Sequence, residues 1–187
     1  LILSRISSLN QIKKYTDANG AITKYSYSLN GNITKVTDAL GNTIKTSYNK
    51  DGQVIKETDK NGNSTTYVYD KVTGYQAQII NAMSGKQTYE YDKMGNIAKV
   101  TAEDGGVTSY TYDLYGRVLS ETDAMGGKKT YAYDKNGNTL KEIDELGNKT
   151  TYTYDRLGQV LTEIDASNNT TSYKYDALGR TIEVTSV

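Results

Sequence analysis

The sequence contains no histidine, cysteine, proline, tryptophan or phenylalanine among its 187 residues. Without His or Cys, the ordinary ligands of zinc, iron–sulfur clusters and haem are missing, as are the usual triad base and thiol nucleophile. No catalytic, cofactor-binding or metal residue is therefore assigned, and no cofactor is expected. Lys and Arg number 22 against 22 Asp and Glu, so the surplus of positive charge that phosphate binding requires is absent and nucleic acid is not an expected partner. No apolar run approaches the ~20 residues of a membrane span. The opening LILSRISSLN is shorter than a signal peptide. Hydrophobic residues reach only 36%, which is little for a conventional core.

What the sequence does have is tyrosine, 18 residues and every aromatic ring in the chain, together with 17 glycines. The tyrosines recur in phrases: YSYS from Tyr25, YVYD from Tyr67, YEYD from Tyr89, YTYD from Tyr110, YAYD from Tyr131, YTYD from Tyr152 and YKYD from Tyr173. Units start near residues 4, 25, 46, 67, 89, 110, 131, 152 and 173, a period of 21 with one step of 22. Repetition on this scale is the mark of a repeat architecture. Each unit reads Y-x-Y-D-x-x-G, five variable residues, T/I-D-x-x-G, and four more residues before the next tyrosines. The first and last units are degraded or short, so residues 1–187 are expected to be a single array belonging to a longer one.

The first turn carries Gly in eight units, from Gly31 to Gly179, and the second turn carries it except at Ser84 and Asn168. Asp followed three residues later by Gly predicts a type I turn leading into a left-handed residue, a conformation Asn168 also tolerates. Between turns lie segments of about six residues rich in Thr, Tyr, Val, Ile and Leu, which form strands. The pattern predicts an all-β chain, a continuous antiparallel meander of about sixteen strands with nearly no helix. The two tyrosines of each pair share one face of the sheet. An odd period conflicts with two hairpin loops of equal parity, so either the loops differ or each unit carries one bulge. The extra residue of the 22-residue unit sits in Asp70 to Gly74, where a turn absorbs it. Local irregularity is expected there and around Asn81 to Gly85.

These residues resemble the YD repeat of the RHS family. The phrases YTYDLYGRVLSETDAMG (Tyr110 to Gly126) and YKYDALGR (Tyr173 to Arg180) are similar to its consensus, and the resemblance covers essentially the whole chain. The family includes bacterial Rhs and wall-associated proteins, shell subunits of insecticidal toxin complexes, and teneurins. Membership implies a curved or spiralling sheet that is part of a hollow β-shell, enclosing or presenting a C-terminal toxin or effector. It also implies a secreted or cell-surface, wall-associated location, with flanking YD repeats and the enclosed domain as partners. The DPxG motif that often ends such shells, linked to self-cleavage, is absent from a chain without proline.

Three chemical readings compete with a purely structural one. Glu57, Glu121, Glu142 and Glu163 occupy one unit position, but equivalents in neighbouring units lie two strands, about 9–10 Å, apart and repeat without a distinctive pair. A solvated charge ladder with Lys56, Lys99 and Lys141 accounts for them. The D-x-x-G turns offer one Asp each and lack the ligand set of a calcium loop. The tyrosine ladder suggests stacking on surface glycans, yet cross-strand aromatic packing would also hold a thin sheet together. Exposed sheet edges, with the apolar stretch Leu1 to Ile6 as one, suggest self-association.

Overall fold

The computed structural model describes residues 5–6 and 11–187. Among the described residues every regular element is a strand and there is no helix. They fall into two compact units, 1–88 and 89–187. The first holds β1 (Arg5–Ile6), β2 (Ile12–Thr16), β3 (Ile22–Tyr27), β4 (Ile33–Thr37), β5 (Thr43–Tyr48), β6 (Val54–Thr58), β7 (Ser64–Tyr69) and β8 (Gln76–Ile80). The boundary falls inside β9 (Lys86–Tyr91). The second holds β10 (Ile97–Thr101), β11 (Val107–Tyr112), β12 (Val118–Thr122), β13 (Lys128–Tyr133), β14 (Thr139–Ile143), β15 (Lys149–Tyr154), β16 (Val160–Ile164), β17 (Thr170–Tyr175) and β18 (Thr181–Ser186). In each unit the strands form an antiparallel meander. Within each unit sequence neighbours pair antiparallel, as β11 does with β12 and β12 with β13.

Among the described residues there are eighteen strands rather than about sixteen. The degraded opening unit still contributes the two residues of β1, and the short closing unit contributes a full-length β18. Of the apolar stretch expected to form an edge at residues 1–6, only residues 5–6 lie within the described residues, and they pair with β2.

Both turn types have the same construction, which decides the parity question. In the first, Asp113 N–H donates to the Arg117 carbonyl at 2.9 Å and Gly116 N–H to the Asp113 carbonyl at 3.1 Å. In the second, Asp123 and Gly127, and Gly126 and Asp123, repeat those bonds at 2.9 and 3.1 Å. This is a three-residue hairpin loop, a type I turn closed by a left-handed residue. With equal loops the odd residue must go elsewhere, and it goes into a bulge. On β11 and β12, Thr111 faces Ser120 and Tyr112 faces Val118, leaving Leu119 as the extra residue. The same shift leaves Leu140 and Leu161 unpaired in the following two units. All three are 38–40% exposed.

The bulge keeps the faces constant from unit to unit. Tyr110 and Tyr112 lie opposite Glu121 and Val118, and Glu121 lies opposite Lys129 on the other side. Directly opposed residues share a face, so tyrosines, this glutamate and the lysine that precedes the next tyrosine pair are on one side. The other side carries the residue between the tyrosines and its partner: Thr111 with Ser120, hydroxyl to hydroxyl at 2.7 Å, Thr153 with Thr162 at 2.6 Å, and Lys174 with Glu183 at 2.9 Å.

The extra residue of the long unit is absorbed as expected. Asp70 N–H reaches the Tyr75 carbonyl at 2.7 Å around a four-residue loop, and Tyr69 still faces the first residue of β8. No irregularity appears around Asn81 to Gly85. Asn81 replaces Asp as acceptor for the Met83 and Gly85 amides, both at 2.9 Å, and Ser84 takes φ +68°.

Among the described residues no hydrophobic side chain is fully buried. Each unit is a layer of strands without a hydrophobic core among the described residues.

Candidate functional site

Among the described residues no three His, Cys, Asp or Glu side chains converge to hold a metal ion. The repeated features are the tyrosine face and the two rows of turns.

The second tyrosine of each pair is the most regular element of that face. Tyr27, Tyr48, Tyr69, Tyr112, Tyr133, Tyr154 and Tyr175 each donate their hydroxyl to the carbonyl fifteen residues upstream, of Ile12, Ile33, Val54, Ile97, Val118, Thr139 and Val160, at 2.7–2.9 Å. That carbonyl belongs to the first residue of the bulged strand. On that side the regular ladder stops at Ser120 and Thr130. The bulge turns the strand end out of register, and the hydroxyl of the next unit takes the carbonyl that the ladder no longer serves. The tyrosine hydroxyl is therefore a bond between units rather than a hydrated tip. The printed sequence carries the signal in two forms: the chain has no Phe, and from Tyr27 onward the second position is always Tyr, while the first is once Thr46.

The first tyrosines act differently. Tyr67 donates to Glu57 Oε2 at 2.9 Å and Tyr173 to Glu163 Oε2 at 3.3 Å. Close ring pairs occur inside a Y-x-Y, Tyr110 with Tyr112 at 6.4 Å and Tyr152 with Tyr154 at 6.5 Å. Partial loss of water around the rings, then the neighbouring carboxylates, push the phenols of Tyr67, Tyr110 and Tyr152 above their ordinary range.

Glu121, Glu142 and Glu163 stand on this face in successive repeats, opposite Tyr110, Tyr131 and Tyr152, and Glu57 holds the same position in the first unit, opposite Thr46. Lys56, Lys99 and Lys141 do not complement them. Each pairs with residues of the opposite face, Lys56 with Ser47 and Lys141 with Ala132, and Lys99 bonds Glu90 at 2.8 Å. Beside Glu142, a shallow depression is lined by Tyr131, Asp144, Asn148 and Thr150. One unit later Glu163, Asp165, Asn169, Thr171 and Tyr173 line another. The two share Glu, Asp, Asn and Thr at equivalent positions.

In the turns, the Asp Oδ1 accepts the amides of the second and fourth following residues, as Asp134 does from Asn136 and Asn138 at 2.8 and 2.9 Å. The fourth residue, when Asn, also donates its side-chain amide to Oδ2, at 2.8 Å for Asn138. That bond holds the Asp134 carboxyl below its ordinary range, and the same cause acts at Asp38, Asp59, Asp92, Asp144 and Asp165. These carboxylates are thus engaged by their own turns.

The two rows of turns differ. In the first row the residue after Gly reaches to the next first-row turn. Gln53 Nε2 donates to the Gly74 carbonyl at 2.9 Å and Gln159 Nε2 to that of Gly179 at 3.2 Å. Arg117 bonds Asp113 at 2.6 Å and the Asp134 carbonyl at 2.8 Å, and its guanidinium lies 4.8 Å from the Tyr133 ring centre. Sequence reasoning passed over this position. Its signal was a run of Asn, Gln and Arg from Asn32 to Arg180, broken only by Tyr75.

The teneurin YD-shell profile matches residues 58–185 and the RHS repeat profile residues 7–43. The chain belongs to the YD-shell family. No curated protein matches this YD-shell chain by sequence. Solved structures share its fold. One is the complex TcdB2–TccC3–Cdc42, 17% identical with a TM-score of 0.76 over 95% of this chain and 12% of that one. Another is a Tc holotoxin pore of Photorhabdus luminescens, 17% identical with a TM-score of 0.62 over 98% of this chain and 13% of that one. The YD-shell segment thus spans about an eighth of the chains it resembles.

Proposed function

We propose that residues 1–187 form a single array acting as a non-catalytic wall segment of a larger secreted or cell-surface protein. The wall encloses or presents an effector domain, with further YD repeats on its flanks. The observation that carries this reading is a repeating sheet without a buried core, in which the second tyrosine's hydroxyl joins one unit to the next. A catalytic site needs a singular constellation, whereas the tyrosine pairs and turns here recur from unit to unit. The YD-shell profile and the Tc shell fold support the same role. In the parent protein, removal of two or more whole units is expected to open the enclosed domain to protease. Unchanged protection would overturn the role.

A second reading, attachment to surface glycans, is favoured by the two depressions at Glu142 and Glu163, which share Glu, Asp, Asn and Thr at equivalent positions and each include a tyrosine. Retention on a glycan array that is lost in Tyr131→Ala with Glu142→Gln, the fold remaining intact by circular dichroism, would promote it. No retention on any glycan would remove it.

A further inference from the structure

We propose that, in the compact unit of residues 89–187, the margin formed by the first-row turns docks on the surface of an anionic lipid bilayer. Its apolar tips enter the headgroup layer and its unpaired cations meet lipid phosphates. The proposal does not rest on the wall role, and it concerns attachment at an interface rather than a membrane span.

Turns of one row share a margin of the meander and follow one another two strands, about 9–10 Å, apart. The second and third residues of each turn form its tip. In the first row of this unit the apolar tips are Met94, Leu114, Tyr115, Leu157 and Leu178, each at least 60% exposed. Beside them stand Lys93, Lys135 and Arg156, all exposed and none in an ion pair among the described residues. No carboxylate occupies a tip of this row. The turn residues Asp92, Asp134 and Asp155 are half-buried, and each gives its Oδ1 to amides of its own turn. The second row of the same unit also exposes apolar tips, Met125 and Leu146, but its charged tips are Glu103, Asp104 and Glu145. Charge therefore separates two margins that are otherwise built alike.

Exposed apolar side chains set beside Lys and Arg are the pattern of an interfacial membrane contact, in which apolar groups reach the headgroup boundary and the cations stay with the phosphates. An anionic leaflet attracts such cations. A soluble polyanion would use the charges but has no use for the apolar tips next to them. The turn geometry suits a layer poor in water, because the Met94 and Leu157 amides are already satisfied by Asp92 and Asp155, both at 2.8 Å. A second copy presenting its second row is the competing occupant. Glu145, however, already pairs with Lys129 at 3.0 Å, and Glu103 and Asp104 share one turn. That row does not offer anions spaced to meet three cations in separate turns.

The chain has no Trp, so Leu157→Trp and Leu146→Trp each place a single reporter, one in each row, at sites 83% and 86% exposed. The full chain is expected to co-sediment with vesicles of equal parts phosphatidylserine and phosphatidylcholine. On those vesicles the emission of Leu157→Trp should shift to the blue and be quenched by brominated lipid, while that of Leu146→Trp stays unchanged. Lys135→Glu combined with Arg156→Glu should weaken partitioning about tenfold or more, since one cation near an anionic surface contributes roughly fivefold. The proposal is overturned by no partitioning, by equal partitioning onto phosphatidylcholine alone, or by a charge-reversed variant that binds as well as the parent. It is overturned equally if both reporters shift together, with vesicles or without them, the latter meaning that copies meet margin to margin.

Discussion

A tyrosine and a phenylalanine differ by one oxygen, and in this chain that oxygen joins neighbouring units. The Tyr133 hydroxyl lies 2.8 Å from the Val118 carbonyl, so Tyr133→Phe leaves that carbonyl without its donor and should cost about 1 kcal/mol. Tyr131→Phe, at the first position, should cost clearly less. Urea unfolding of the two variants checks the difference, and equal midpoints would show that the hydroxyl contributes nothing. A similar division separates the glycines. All turn glycines need a left-handed backbone, but they differ in space. A side chain at Gly158, φ +82°, would begin 3.2 Å from Asn138 Oδ1, whereas one at Gly147, φ +84°, would meet nothing within 4 Å. Gly147→Asn should therefore cost about 1 kcal/mol or less, and Gly158→Asn roughly 1 kcal/mol more through crowding. Thermal unfolding of the pair reads this directly. The sequence already shows the outcome without its reason: Ser84 and Asn168 replace glycine only in the open second row. The requirement for φ above zero was legible from D-x-x-G. The crowding was not, because it comes from a side chain 20 residues earlier.

At the scale of the element, the meander, its turns and the shared face of Y-x-Y could all be read from the period. The odd number 21 even announced that a bulge or unequal loops had to exist. Choosing between them needed the loops themselves, since D-x-x-G at both turns is compatible with either until the two loops prove equal. The bulge also explains the adjacent apolar pair, Val118 with Leu119 or Val160 with Leu161, which in a regular strand would face opposite sides. It makes a sharp prediction about deletion. Removing Leu140, the bulged residue, leaves Tyr133 opposite Thr139 and Ala132 opposite Lys141, so every later side chain keeps its face. The expected loss is about one hydrogen bond, ~1 kcal/mol, because the Thr139 carbonyl no longer turns toward Tyr154. Removing Ala132 instead puts Tyr131 and Tyr133 on opposite faces and should abolish the cooperative unfolding of the hairpins around it. Circular dichroism melts of both deletions compare the two. If deletion of Leu140 proves as damaging as deletion of Ala132, the bulge is not the place where the repeat holds its spare residue.

For the whole molecule, layers of strands without a buried core have their stability distributed along the repeat, approximately as a sum of unit and nearest-neighbour contributions. Small effects that recur in every unit therefore add. Titration is the clearest case. The turn carboxylates, among them Asp38, Asp92, Asp134 and Asp144, are held below their ordinary range by the bond from the following Asn. Their contribution is complete above the unfolded carboxylate value of ~3.9 and is lost as pH falls through the lowered folded values. The tyrosines Tyr67, Tyr110, Tyr133 and Tyr154 are raised by partial desolvation. Their contribution is complete below the unfolded phenol value of ~10 and is lost as pH rises through the raised folded values, where the donors of the inter-unit bonds also disappear. The melting temperature of the full chain should accordingly be level between about pH 5 and 9 and fall on both sides. The two limbs separate by substitution. Asp144→Asn preserves the Oδ1 acceptor, as Asn81 already does at its own turn, but cannot titrate, so it should flatten the acid limb and leave the alkaline limb unchanged. Tyr154→Phe should do the reverse. An acid limb that keeps its full slope after Asp144, Asp134 and Asp165 are all replaced by Asn would mean that the turns are not what acid unfolds.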